Sequence, residues 1–219
     1  MPRFVLEIGT EELPPRFFPV VMPQLRANGE EMLTRARLAF REVKVYGTPR
    51  RLALIAEDLV ERQDPHTREE RGPSAKVAFD AEGKPTKAAL GFARRLGVDP
   101  AALDRRETDQ GEYVFAVVRE PELPTKDALA PLLPGLITGL PFPKTMRWGT
   151  GKLRFGRPIR WLLALVDGDV VEFELEGIRS GRLTRGHPVL AGAAATAKGH
   201  SIPDGMHELQ NLYSLLQNN

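Results

Sequence analysis

There is no cysteine among the 219 residues, which excludes disulfides, thiolate zinc sites and cysteine nucleophiles and agrees with a cytoplasmic location. No apolar run reaches the roughly 20 residues needed to cross a bilayer. An acid, Glu7, interrupts the start Phe4-Val5-Leu6-Glu7-Ile8 where the apolar region of a signal peptide would lie, so export is not expected. Histidine is scarce too. The four, at positions 66, 187, 200 and 207, share no metal-ligand spacing, so a zinc site is not expected. No Gly-Lys-Ser/Thr closes a glycine-rich loop. In Gly149-Thr150-Gly151-Lys152 the next residue is Leu153, so a plain turn is the reading over a phosphate cradle.

What is present describes an ordinary water-soluble chain, 42% apolar and 27% charged. The net charge of +2 says little; its distribution says more. Residues 144–160 hold six cations (Lys144, Arg147, Lys152, Arg154, Arg157 and Arg160) and no acid. Residues 179–187 hold Arg179, Arg182, Arg185 and His187, again with no acid. Lysine and arginine neutralise phosphates, and Trp148 or Phe155 offers a stacking surface for bases. The opposing reading places Trp148, Phe155 and Trp161 in the core with arginines snorkelling around them. Arg50 and Arg51 read as surface cations paired with acids such as Glu42 or Glu57. Glu11 and Glu12 read as favourable charges ahead of a helix.

The elements follow from periodicity. Residues 4–8 form a buried strand ending at Gly9, and an amphipathic helix spans about residues 17–40, its regular part starting after Pro19 and Pro23, with Asn28-Gly29 a weak point. Residues 43–46 and 51–56 make a hairpin, as do residues 158–166 and 170–175 around Asp167-Gly168-Asp169. Residues 63–76 are polar and mark a boundary or exposed excursion. A helix runs from Pro85 to Gly97, Asp99-Pro100 repeats a helix-start signal, residues 112–118 form a strand, and residues 125–140 are helical with breaks at Pro131 and Pro134. The expected fold is α+β, a mixed or antiparallel sheet packed with helices. Residues 1–62 and 144–190 form the main domain, residues 63–143 are a candidate inserted subdomain, and residues 191–219 are a separate tail.

Several runs, in order, resemble the glycyl-tRNA synthetase β subunit family. They are Leu6-Glu7-Ile8-Gly9-Thr10-Glu11-Glu12-Leu13-Pro14-Pro15, Thr48-Pro49-Arg50-Arg51-Leu52-Ala53, Arg71-Gly72-Pro73, Phe79-Asp80 and Gly83-Lys84-Pro85-Thr86-Lys87-Ala88-Ala89. Gly91-Phe92-Ala93, Lys144-Thr145-Met146-Arg147-Trp148-Gly149, Arg154-Phe155-Gly156-Arg157-Pro158-Ile159-Arg160-Trp161 and Thr184-Arg185-Gly186-His187 continue them. Arg160 stands where the family pattern usually has histidine; after Pro188 the resemblance fades, and the tail of residues 191–219 is unlike the family's continuation. The resemblance implies an α2β2 glycine–tRNA ligase in which the α subunit activates glycine with ATP and Mg²⁺ and the β subunit binds tRNA(Gly) and the α subunit. No membrane or DNA partner is implied. This chain is then expected to be a truncated or interrupted portion with no catalytic residue and no cofactor of its own. The candidate tRNA contacts are Lys144, Arg147, Trp148, Arg154, Arg157, Arg182, Arg185 and His187. A purely structural α-binding module is the alternative.

Overall fold

The computed structural model describes residues 2–80, 82–148 and 151–184, with the backbone of His200 and Ser201. The fold is α+β, and the chain divides into two units. The first combines residues up to Asp64 with those from Leu123 onward, and the second is Pro65–Glu122.

In the first unit, β1 (Phe4–Thr10), β2 (Glu42–Thr48), β3 (Arg51–Glu57), β7 (Ile159–Val166), β8 (Asp169–Val170), β9 (Glu174–Leu175) and β10 (Ile178–Gly181) form one sheet. Its order is β2-β3-β1-β7-β10-β9, with β8 also on β7. β1 is central and antiparallel to both β3 and β7, and β10 runs parallel to β7. The run Phe4-Val5-Leu6 is apolar without alternation because both sheet faces are covered, as expected of a strand buried on two sides. Phe4, Leu6 and Ile8, with Leu52, Leu54, Leu162 and Ala164, face the larger core. Val5, Ala53, Ile55, Leu163 and Leu165 face the opposite way.

α1 (Phe18–Arg35) lies on the first face and buries Val21, Leu25, Gly29 and Leu33. It begins before Pro23, where the sequence reading delayed it. Pro19 sits in the first turn, where its missing N–H costs nothing, and the Pro19 carbonyl deprived of a bond by Pro23 is on the exposed side. Gly29 does not break the helix. A Cβ there would stand 2.3 Å from Leu54 Cδ1, so glycine lets the helix close on the sheet. α1 stops at residue 35 rather than near 40 because Arg37 takes φ 56°. The Leu38 N–H then bonds the Leu33 carbonyl at 3.0 Å and the Arg37 N–H bonds that of Thr34 at 3.0 Å, a Schellman cap.

α4 (Thr125–Leu129) and α5 (Leu133–Thr138) bury Ala128, Leu129, Leu133, Leu136 and Ile137 in the same core. Residues 123–143, grouped by the sequence reading with the insertion, therefore belong to the first unit. Proline spacing had suggested a loose helix, but apolar burial decides the assignment. The second predicted hairpin also differs. β8 is only two residues long, and Glu176 and Gly177, at φ 51° and 79°, turn β9 back on β10. β11 (Leu183–Thr184) pairs with β12 (His200–Ser201).

In the second unit, β4 (His66–Ser74), β5 (Asp104–Thr108) and β6 (Gly111–Glu120) form an antiparallel sheet of order β4-β6-β5. β4 is the stretch read as an excursion. It is a polar, largely exposed edge strand with no apolar alternation to betray it. α2 (Ala75–Ala78) and α3 (Lys87–Leu96) cover one face through Ala78, Ala89 and Phe92, packed with Val114 and Ala116. α3 ends as predicted at Gly97, φ 68°. Asp99 caps a single 3-10 turn, accepting from the Ala101 N–H at 2.8 Å.

Candidate nucleic-acid interface

One end of the first sheet gathers three of the family-like runs. The Thr10 N–H bonds the Arg50 carbonyl at 2.8 Å, the Leu13 N–H bonds the Pro49 carbonyl at 2.5 Å, and the Glu11 N–H bonds the Pro158 carbonyl at 2.9 Å. The end of β1, the β2–β3 tip and the start of β7 are thus stitched together through backbone, which fixes their side chains without depending on side-chain chemistry.

Just inside this end, on the second face, lies a buried polar node. Register places Gly9 between Arg51 and Trp161, and Glu7 between Ala53 and Leu163. Because Gly9 has no side chain, the Trp161 ring lies across β1; a Cβ on Gly9 would stand 2.0 Å from it. The Arg51 guanidinium carbon is 5.9 Å from the Trp161 ring centroid, within cation–π range. Glu7, fully buried, accepts from Trp161 Nε1 and from Thr184 Oγ1, each at 2.6 Å, and Arg51 Nη1 reaches its other oxygen at 3.4 Å. Both carboxylate oxygens are engaged and the residue is sealed from solvent. The sequence reading missed this node and paired Arg51 with Glu42 or Glu57. The signal was a lone acid inside an apolar strand. Its meaning depends on pairing β1 with β3, which puts Glu7 and Arg51 on one face while Glu57 lies at the far end, bound to Arg3 Nε at 2.7 Å.

The acid-free basic stretch folds into a loop closed where Met146 and Phe155 exchange backbone hydrogen bonds of 2.9 and 3.2 Å. Its aromatic members Trp148 and Phe155 turn toward the core, while Met146 stays exposed. Phe155 is 1% exposed, with its ring centroid 4.4 Å from that of Phe142, so it is core and offers no face to a base. Trp148 is half-buried and packs on the same core with Leu153, which makes it an anchor of the loop. Lys144, Arg147, Lys152 and Arg154 are exposed, and Arg154 Nε donates to Thr145 Oγ1 at 3.1 Å.

The remaining cations are tied inside the chain. Arg157 Nε donates to the Glu12 carbonyl at 3.1 Å, and Arg160 pairs with Glu11 at 3.3 Å. Arg182 Nη2 donates to the Gly168 carbonyl at 2.7 Å. Glu11, read from the sequence as a charge ahead of the helix, is an ion-pair partner of Arg160 on β7. Arg185 and His187 lie outside the described residues. Among the described residues no three His, Cys, Asp or Glu side chains converge to hold a metal, and no helix is long and apolar enough to cross a membrane.

Comparison with known proteins gives one answer. The family model described as glycyl-tRNA synthetase beta subunit matches residues 4–208, continuing past the point where the resemblance thins by motif. The chain is similar to the glycine–tRNA ligase beta subunit of Desulfitobacterium hafniense, 48% identical over 189 residues, covering 86% of this chain and 27% of that protein. It is likewise similar to that of Geobacter metallireducens, 48% identical over 191 residues, covering 87% and 28%. For that of Clostridioides difficile the identity is 40% over 215 residues, covering 98% and 31%. The chain therefore spans under a third of the length of these relatives. It belongs to the glycyl-tRNA synthetase β subunit family.

Proposed function

We propose that this chain is a non-catalytic tRNA-handling and assembly portion of a cytoplasmic α2β2 glycine–tRNA ligase. In this reading the α subunit holds glycine, ATP and Mg²⁺, and this chain contributes binding surface for tRNA(Gly) and for α. The observation that supports it best is the basic loop. Its aromatics anchor it to the core while Lys144, Arg147, Lys152 and Arg154 stand in solvent with no acid in the stretch. A loop whose own side chains carry only positive charge lowers the free energy of a phosphate backbone beside it and releases counterions when one binds, although the Glu176 carboxylate lies against it at Gly151.

The test is tRNA affinity of the whole chain across a salt series. Arg147→Glu with Arg154→Glu weakens binding at least tenfold and lowers the log–log salt slope by about 1.5 to 2. Unchanged affinity and slope refute the contact assignment. Arg157 is unsuitable for this test because it holds the Glu12 carbonyl. The alternative, a purely structural α-binding module, draws support from the internal ties of Arg157, Arg160 and Arg182. It predicts co-elution with α and no salt-sensitive RNA binding.

A further inference from the structure

The second unit carries a charged face that the basic loop does not explain. α3 buries Ala89, Phe92 and Ala93. Lys87, Leu90, Gly91 and Arg94, spaced i, i+3, i+4 and i+7, share its opposite side, and all four are exposed. Residues 84–98 contain Lys84, Lys87, Arg94 and Arg95 and no acid. Two apolar side chains are left in solvent nearby in sequence, Leu90 at 42% exposure and Val77 of α2 at 56%.

Gly91 in α3 and Gly135 in α5 are the described helical glycines without an internal reason, and of the two Gly91 is the one set among cations. Glycine inside a helix is less stable than alanine, so a mid-helix glycine usually marks a close approach. Gly29 has such a reason, since an added Cβ would stand 2.3 Å from Leu54. A Cβ on Gly91 would meet nothing within 4 Å. Nothing in the described chain occupies the space a Gly91 side chain would take, so the helix backbone there is open to a close approach from outside. The charge of the face selects a polyanion.

We propose that the exposed face of α3 is a second RNA-contact surface, with a phosphate backbone passing over Gly91 between Lys87 and Arg94. Leu90 lies beside it against sugar carbons, and Lys84 precedes the helix. The proposal rests on the reading that this chain binds tRNA, but its residues are in the other unit from the basic loop, so the two sites fail separately.

The experiment measures melting temperature and tRNA affinity of the whole chain, by fluorescence anisotropy at several KCl concentrations. Gly91→Ala raises the melting temperature of the second unit by about 2 °C or more and at the same time weakens tRNA binding threefold or more. Lys87→Gln with Arg94→Gln weakens binding at least fivefold and lowers the salt slope by about 1.5. Both effects persist in the Arg147→Glu, Arg154→Glu background. If Gly91→Ala stabilises the chain and leaves affinity unchanged, the face is only solvated and the proposal is wrong. If the α3 variants lose co-elution with an α subunit while tRNA affinity holds, the occupant is protein and the proposal is again wrong. If the loop variants have no effect and the α3 variants do, the loop assignment fails and this one stands. A wild-type chain that binds no tRNA at low salt refutes both.

Discussion

Replacing Glu7 with alanine removes the acceptor at the centre of the buried node. Two bonds of 2.6 Å, from Trp161 and Thr184, are lost outright. Arg51, 7% exposed, loses its 3.4 Å carboxylate partner and keeps Thr184 Oγ1 at 3.4 Å. Deleting one member of a buried ion pair costs about 3 to 5 kcal/mol, and a buried donor left unmet costs about 1 to 3 kcal/mol. The long Arg51 contact argues for the lower part of the first range and the two short bonds for the upper part of the second. We therefore expect about 4 kcal/mol for Glu7→Ala, and about 2 kcal/mol for Glu7→Gln, which keeps a carbonyl acceptor. Glu7→Met combined with Arg51→Met should cost about 1 to 3 kcal/mol less than the two single changes added, because the apolar pair leaves no charge stranded. Urea unfolding followed by tryptophan fluorescence measures this. Trp148 and Trp161 are the two tryptophans and both lie in the first unit, so the signal reports that unit. A Glu7→Ala loss below about 1 kcal/mol, or strict additivity in the double change, would show that the node is not a coupled unit.

Other expectations follow from local geometry. Gly9→Ala drives a methyl into the Trp161 ring and should cost about 1 to 3 kcal/mol in the same unfolding assay; Gly9→Ala with Trp161→Ala should recover part of that loss. In α5 a Cβ on Gly135 meets nothing within 4 Å, so Gly135→Ala should stabilise the first unit by about 0.5 to 1 kcal/mol. Gly29→Ala, by contrast, should lose stability against Leu54 despite the better helix former. Phe155→Ala should cost about 3 to 5 kcal/mol, because the ring is fully enclosed. The Glu42 carboxyl titrates below its ordinary value, chiefly through the hydrogen bond from Lys44 and further through Lys44 and Arg41 charges. A lowered folded-state value means a contribution present above the unfolded value of 4.5 and lost as pH falls through the folded one. Side-chain carboxyl NMR of Lys44→Met should show Glu42 moving back upward.

Much of the scaffold was legible because local signals were strong. β1, β3 and β7 are apolar runs bounded by turn residues, and α3 ends where Gly97 permits a left-handed cap. β4 was hidden because an exposed edge strand can be polar at every position. The junction at residue 123 was hidden because Pro131, between α4 and α5, and Pro134, in α5, interrupt the helical pattern while the leucines beside them are core. For the site, the exposed members of the basic stretch were readable as a run of cations with no acid among them; the Glu176 carboxylate beside Gly151 was not. Which cations are occupied was not, since the acceptor of Arg157 lies 145 residues away and is a backbone carbonyl, which carries no sequence mark. The fate of Trp148, Phe155 and Trp161 likewise turned on packing partners from distant segments.

The central strand β1 has its second neighbour far downstream; Glu7 and Trp161 are 154 residues apart. During synthesis β1, β2, β3 and α1 emerge early and can assemble, but one long edge of β1 stays unpaired until β7 has cleared the ribosome. The second unit, continuous in sequence from Pro65 to Glu122, can be complete by then. Folding of the first unit therefore waits on translation rather than on diffusion. A ribosome stalled before residue 159 holds an open apolar strand edge, the kind of surface that chaperones shield and that neighbouring nascent chains recruit.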